Sequence, residues 1–543
     1  MDALTHLNNN SVYEYLTEAE AQAEAKRLYY EIHSWTVIAR KKKGLDDNEV
    51  KYIRKHMSQN AKDPFGYFYL LYKVHKKTLS TRPVCSDCAS ITNPIGKWVD
   101  TMLQPIAKTM PTYLKDLFAF KELIDDIVVP PGGRLFTADA VSMFTNIRTN
   151  AALSIIGPYL REKEKEFGHY HAETLIAALE IVMKNNIIRL GDKYVRQISG
   201  TAMGKPPAPP WATLFEGLHE IDYLPLWEAF LRLYRRYIDD TYGLWLPPAG
   251  LTIKESEAKW LEFKAEVNNN HGLEWVFSER SLSATFLDTT TTITVGGRIK
   301  TTLFEKPMAL YLFIPPHSAH PPGVLTGHIF GNVLRIFRLN SDEEDILDDT
   351  VRFYRRFLNR GHKRDVLTPL FLKAITNARK FLATSKDERN RIKLQKLEAA
   401  TRRLYLHIEY HPQNPPSHQI QQLFSENVLN PPGKKALNEL DASAGEKVPI
   451  DAMIIAYHRA PNLGDMFSYR NISKRKGPPV SSYLWEVRGL FFSNADICSA
   501  TLAYASIWKK DYYLVFVTPR HLIAPVASTC LCYIFLRPRK EIS

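Results

Sequence analysis

Apolar positions along this chain recur at two intervals. From Glu18 to Ala39 they fall at helical spacing, and that run ends in Arg40-Lys41-Lys42-Lys43-Gly44. A second short helix is expected over Asp46–Met57, so residues 1–60 read as helical. Residues 61–300 read as mixed α and β. Within them two apolar, β-prone runs, Leu231–Ile238 and Tyr242–Leu246, predict a hairpin. Residues 341–411 return to helical spacing. There Ser341 with Glu344 makes a capping box, and Leu347, Val351, Tyr354 and Leu358 line one face. Gly361 is the expected stop. The Pro- and polar-rich segments His411–His418 and Pro431–Val448 predict surface linkers. Residues 449–480 carry a further apolar–basic block, and from Ser481 the composition turns apolar. Tyr512–Leu536 is interrupted by Pro519, Arg520, His521 and Pro525, whereas a spanning helix wants about 20 uninterrupted apolar residues. Strands or an irregular tail are expected there.

Composition narrows the class. The chain has 543 residues and 45% apolar content, enough for a sizeable core and against wholesale disorder. Its formal net charge of +13 suits a polyanionic partner. Aromatic and basic residues interleave, as in Lys26-Arg27-Leu28-Tyr29-Tyr30 and Arg352-Phe353-Tyr354-Arg355-Arg356-Phe357. Rings that stack on bases beside cations that meet phosphates favour nucleic acid over an acidic membrane. Five cysteines are too few for a disulfide framework. Cys85-Ser86-Asp87-Cys88 has zinc-knuckle spacing but lacks the second pair that a four-ligand site needs. The N-terminal stretch is polar and acidic rather than an apolar signal, so a reducing compartment is expected.

The chemistry centres on Tyr237-Ile238-Asp239-Asp240, which the flanking runs place at a hairpin tip. Adjacent carboxylates repel and are costly to bury unless a cation neutralises them, and a hard divalent ion with oxygen ligands meets that need. The tetrapeptide alone fits an ordinary polar turn equally well. A partner lies upstream, where the apolar run Arg134-Leu135-Phe136-Thr137-Ala138 ends in Asp139 and a polar-aromatic turn follows. A carboxylate at one strand end and a pair on a neighbouring hairpin would make a two-metal clamp for phosphoryl transfer. Between them Gly200-Thr201-Ala202-Met203-Gly204-Lys205-Pro206 is a loop whose glycines permit close backbone approach, and Pro209 and Pro210 can start the helix that follows.

These motifs, in this order, resemble the central palm motifs of reverse transcriptases. The closer resemblance is to the reverse transcriptases of Penelope-like retroelements, the group nearest telomerase. It includes Phe68-Tyr69-Leu70-Leu71-Tyr72-Lys73-Val74-His75-Lys76, Arg82-Pro83-Val84, Ser142-Met143-Phe144-Thr145-Asn146-Ile147 and the Gly200–Gly204 stretch. It continues through Phe286-Leu287-Asp288, Glu305-Lys306-Pro307 and Ala456-Tyr457-His458-Arg459-Ala460-Pro461-Asn462-Leu463, covering residues 20–470.

The resemblance implies an α+β right-hand polymerase. An N-terminal helical extension (1–60) would precede fingers and an antiparallel-sheet palm (61–300), a mainly helical thumb and connection (301–480) and an atypical tail (481–543). Asp139, Asp239 and Asp240 would be the catalytic metal ligands for two Mg²⁺ ions, with Mn²⁺ able to substitute, and the Ala140 carbonyl would complete one shell. Lys73 and Arg82, with Lys76 a weaker candidate, would hold the incoming triphosphate. Phe144 would be the steric gate that favours dNTPs, its bland alternative being a core ring. Met203 and Gly204 would pack on the nascent base pair, and Gly200 and Lys306 would touch nucleic acid. Asp288 reads as structural.

The implied partners are an RNA template, a DNA primer and dNTPs, with no stable membrane association. Nuclear localisation follows from what such an element must reach, and Arg40–Lys43 and Ser473-Lys474-Arg475-Lys476 offer import signals. Lys205, Ala208 and Thr213 depart from the family's commoner Ser, Ser and Asn. Residues 481–543 show neither half of a GIY-YIG nuclease motif, so a polymerase that extends only an existing 3′ end is expected. A catalytically inactive nucleic-acid-binding remnant and an RNA-dependent RNA polymerase are the competing readings.

Overall fold

Period-two runs in the first 311 residues assemble into three sheets, with strands numbered in chain order. β1 (Tyr13–Leu16), β2 (Gly66–Tyr72), β3 (Thr81–Ser86), β5 (Ile187–Leu190) and β6 (Lys193–Gln197) form a five-stranded sheet in the order β1-β6-β5-β2-β3. It is antiparallel except where β2 meets β5. An antiparallel four-stranded sheet runs β7 (Leu231–Tyr237), β8 (Asp240–Trp245), β4 (Arg134–Ala140), β9 (Trp275–Phe277). β10 (Ser283–Phe286), β11 (Thr289–Ile293) and β12 (Ile299–Leu303) form a third sheet. The computed structural model describes residues 3–73, 80–88, 90–270, 272–321, 323–398, 403–410, 414, 416–427, 452–459, 490–492, 503–508, 512–517 and 530–538.

The chain divides into two compact units, Met1–Tyr311 with Arg338–Val351, and Leu312–Phe337 with Arg352–Ser543. In the first, strand alternation gives the four-stranded sheet two buried faces. Phe136 of β4 and Trp245 of β8 point to one face, where the helix Ile253–Val267 supplies Trp260 and Phe263. Ring centroids there are 4.8 Å apart for Phe136–Trp260 and 5.0 Å for Trp245–Trp260, the range favoured by edge-to-face contacts. Leu135, Leu233, Tyr242 and Leu244 fill the other face with Phe120, Ile124 and Phe286. Gly243 lies opposite Phe136 in the ladder, and a Cβ on it would meet that ring at 2.1 Å, so only glycine admits the ring.

The helices Glu18–Lys41 and Asp47–Asn60 form as expected, each opened by a capping box, Thr17 with Glu20 and Asp46 with Glu49. Residues 1–60 are not all helical, however. β1 lies among them and pairs with β6, a long-range partner that local periodicity does not announce. The stretch after Ser341 also differs from expectation. The helix begins at Glu343, and Ser341 Oγ accepts the Thr301 amide at 2.9 Å instead of opening the helix. Leu347 is 62% exposed.

In the second unit the buried stripe is Phe353 and Phe357, packed with Phe313 and Phe371. Gly361 follows the helix at φ 93°, a left-handed stop that glycine allows without strain. Residues 403–410, expected to be helical, are a strand. They form β13 (Arg403–Tyr410) of a six-stranded sheet with β14 (Ala452–Arg459), β15 (Leu490–Phe492), β16 (Ala503–Trp508), β17 (Tyr512–Val517) and β18 (Cys530–Pro538). β17 and β18 occupy much of the apolar tail, and among the described residues no helix is long and apolar enough to cross a membrane. Ser417 and His418 open the helix Ser417–Asn427. Lys76, Pro431–Val448, Ala460–Leu463 and Ser473–Lys476 lie outside the described residues.

Candidate active site

The hairpin β7–β8 closes through Ile238 and Asp239, with Tyr237 and Asp240 paired across its base. Ile238 has φ 58°, a left-handed value that a β-branched side chain rarely takes. On the other side of β8 lies β4, where Asp139 pairs directly with Asp240. The Ala140 amide donates to the Asp239 carbonyl at 2.9 Å. Cross-strand partners share a face, so two of the three carboxyl groups sit one strand spacing apart and the third rides on the turn beside them.

Electrostatics follow from that crowding. Burial raises the Asp239 carboxyl above the ordinary aspartate range, and Asp139 adds to the rise while Arg82 and Lys73 oppose it. Asp240 is pushed up to about 7, first by burial, then by Asp239 and Asp139, with Lys306 pulling the other way. Arg82, Lys73 and Lys306 therefore stand within electrostatic reach of the acidic cluster, although they come from β3, the segment after β2 and the segment after β12.

A second group of the expected residues gathers around the Gly200 loop. Gly200 has φ 80°, and a Cβ there would lie 2.5 Å from the Thr145 carbonyl oxygen. The Thr201 amide donates to the Phe144 carbonyl at 2.5 Å. Gly204, at φ 117°, would place a Cβ 2.7 Å from the Cys85 carbonyl oxygen, and the Cys85 amide donates to Met203 at 2.8 Å. The loop is thus stitched to the Phe144 turn at one end and to β3, the strand of Arg82, at the other. Phe144 is half-buried against the main core. Asp288 is exposed in the β10–β11 turn, where its carbonyl accepts the Phe304 amide.

Lys205, one of the departures from the family pattern, proves to be a structural charge. Its side chain is 1% exposed and pairs with Asp87 at 3.2 Å. Its ammonium also donates to Thr92 Oγ1 at 2.9 Å and to the Asn185 carbonyl at 3.2 Å, which uses all three donors. Ser90 Oγ and Thr92 Oγ1 donate to Asp87 at 2.5 and 3.1 Å. Asp87 is the middle of the Cys85–Cys88 stretch that suggested zinc by spacing. Cys85 is instead a buried free thiol, pushed up to about 12 by burial.

No protein-family model matches this chain, and no curated protein matches it. Among solved structures it is similar to telomerase from Candida albicans in complex with a TWJ fragment of telomeric RNA, at 9% identity and a TM-score of 0.41, over 58% of this chain and 59% of that one. It is also similar to apo telomerase from Candida tropicalis, at 11% identity and a TM-score of 0.36, over 59% of each chain. The RNA-dependent RNA polymerase of BmCPV at its elongation state aligns at 14% identity and a TM-score of 0.38, over 62% of this chain and 29% of that one. The chain thus spans about three fifths of the telomerase chains and under a third of the viral one. Alignments this partial leave the site's own geometry as the basis for a function.

Two outcomes test the site as built. Lys205→Ser strands Asp87 as a buried unpaired charge and lowers stability by about 3–5 kcal/mol, read as a fall in the urea midpoint; an unchanged midpoint would refute the pairing. Asp240 binds its proton more tightly folded than unfolded, so its contribution to stability is full below about pH 4 and is lost as pH rises through about 7. In metal-free buffer Asp240→Asn, which cannot ionise, is therefore more stable than wild type at high pH. That gap closes on acidification, and a gap independent of pH would rule the explanation out.

Proposed function

We propose that this chain is an RNA-directed DNA polymerase of the Penelope-like kind, a nucleotidyltransferase that extends a primer 3′-hydroxyl with dNTPs. The observation that carries this reading is Asp139 facing Asp240 across adjacent strands, with Asp239 on the turn between β7 and β8. Arg82, Lys73 and Lys306 within reach of these acids supply the opposite charge that a triphosphate and a primer backbone need. In this reading β4, β7 and β8 belong to the palm, the five-stranded sheet to the fingers, and the helices from Val324 onward to the thumb.

The residues fit a pair of Mg²⁺ ions by the chemistry of the donor set. They are three clustered carboxyl groups, hard oxygen donors, and burial and mutual repulsion raise Asp239 and Asp240 in the absence of a cation. As they stand, no group of three His, Cys, Asp or Glu side chains among the described residues is arranged to hold an ion. Bound metal supplies activation of the primer hydroxyl and neutralisation of the leaving pyrophosphate.

The chain's own residues do the rest. Asp139, Asp239 and Asp240, with the Ala140 carbonyl, form the anionic seat. The Arg82 fork and the Lys73 ammonium orient the triphosphate. Phe144 lies beneath the sugar and excludes a 2′-hydroxyl. Met203 and Gly204 pack on the nascent base pair, while Gly200 and Lys306 meet template and primer. A retroelement enzyme of this kind works in the nucleus, where the DNA it must reach lies.

The test is incorporation on a primed RNA template by the purified full chain with Mg²⁺ or Mn²⁺. Wild type incorporates dNTPs, and Asp239→Ala abolishes the reaction. If wild type incorporates nothing with either ion, the reading fails and salt-sensitive RNA binding alone would mark a non-catalytic remnant. In the same assay Phe144→Ala lowers the preference for dNTPs over rNTPs roughly ten- to a hundredfold. An unchanged ratio would make Phe144 a core ring only.

A further inference from the structure

Behind the acidic hairpin lies a buried charge that the proposed chemistry does not use. Strand alternation sends Arg236 to the face of β7 away from Asp240, since Arg236 pairs with Thr241 while Asp240 pairs with Tyr237. Its side chain is 1% exposed, and its partner Glu220, on the helix Ala208–Tyr223, is 0% exposed. The guanidinium grips that carboxylate with both prongs, Nε to Oε1 at 2.7 Å and Nη2 to Oε2 at 2.8 Å. Thr112 Oγ1 donates to the same carboxylate. The Arg236 backbone is clamped as well: its amide donates to the Thr112 carbonyl at 2.8 Å, and its carbonyl accepts the Leu114 amide at 3.0 Å. Glu216, one helical turn before Glu220, is pushed up to about 8 by burial and then by Glu220.

Two guanidinium contacts remain. Nη2 also donates to the Thr213 carbonyl, and Nη1 donates to the Ile238 carbonyl, each at 3.1 Å. The second bond reaches the turn itself. Ile238 is the left-handed, β-branched residue immediately before Asp239, a conformation that persists only where its surroundings enforce it. The next peptide is also held, because the Asp239 carbonyl accepts the Ala140 amide. A buried ion pair adds little net stability over an apolar pair of similar volume. An apolar pair, however, has no donor for the Ile238 carbonyl.

We infer that Arg236, braced by Glu220, is a positioning residue that holds the Ile238–Asp239 peptide and thereby aims the Asp239 carboxylate at its two neighbours. The catalytic consequence rests on the polymerase reading above; the positioning itself does not. The same bonds tie the hairpin to the helix that follows the Gly200 loop, so both halves of the site take their place from one helix.

The experiment compares wild type with Arg236→Met, Arg236→Lys and Glu220→Gln in the full chain. Amide hydrogen exchange is followed at residues 238–241 and at Ala140, and incorporation is measured over a Mg²⁺ titration. Arg236→Met is expected to speed exchange at the turn about tenfold or more while the rest of the four-stranded sheet stays protected. Half-saturating Mg²⁺ rises roughly ten- to a hundredfold and kcat falls, with KM for dNTP within about twofold of wild type. Arg236→Lys, which keeps the charge but loses the fork, shows the same pattern. Glu220→Gln, which turns one accepting oxygen into an NH₂ donor and removes the opposing charge, shows the same pattern in milder form. Unchanged exchange at the turn overturns the inference, and so does exchange that accelerates evenly across the sheet. Where Arg236→Met does not fold, the Lys and Gln variants decide by the same criteria. If wild type polymerises nothing, the proposed function falls, and the exchange data still judge Arg236.

Discussion

Everything at the candidate site depends on β4 lying beside β8 in one register. Asp139 meets Asp240 only in that register, and a slip of one residue would turn Asp240 towards the helices and bring Thr241 to the acidic face. Packing on both sides resists the slip. Phe136 occupies the space left by Gly243 on one face, while Leu135 and Leu244 join the second cluster on the other. A sheet buried on both faces has no solvent side to which a misplaced apolar residue can retreat. The carboxyl groups gather at the one end where the sheet stops being apolar, so their mutual repulsion is opposed by the whole core beneath them.

Much of this was legible in the chain. The runs flanking Ile238-Asp239 mark the hairpin, Pro209-Pro210 mark the start of the helix Ala208–Tyr223, and the single Asp139 after an apolar run marks its strand. These are local signals, carried by period-two alternation and by the backbone limits of proline. The failures share a cause in distance. β1 exists because of β6, and residues 403–410 form a strand because β14 and β16 flank them. Ser341 was read from its own neighbours, yet its hydroxyl answers to Thr301 in another element. The stripe through Leu347 matched the helical period, but only the tertiary partners Phe313 and Phe371 single out Phe353 and Phe357 as buried.

Two charges were the least legible of all. Nothing in the Lys205 neighbourhood says that its ammonium is buried, and its counter-ion Asp87 lies more than a hundred residues upstream. Arg236 reads as one of several basic residues in a strand, although its neighbour Arg235 is not paired in the same way. Each of the two ties the segment around helix Ala208–Tyr223 to another part of the fold, Lys205 at its N-terminal approach and Arg236 along its length. Ion pairs of this kind add little stability over an apolar pair of similar volume, but their hydrogen bonds fix where a loop or a turn sits, and losing one partner strands the other.

The five-stranded sheet carries a consequence for biosynthesis. Tyr13 pairs with Gln197, so the first strand leaves the ribosome long before its neighbour exists. At about 5–20 residues per second that wait is on the order of ten to forty seconds. Through that interval the hairpin β2–β3 can close by itself, whereas β1 keeps a free edge open to any other extended segment, from this chain or from another emerging beside it. Translation speed between Leu16 and Lys193 therefore sets how long that first edge stays unpaired.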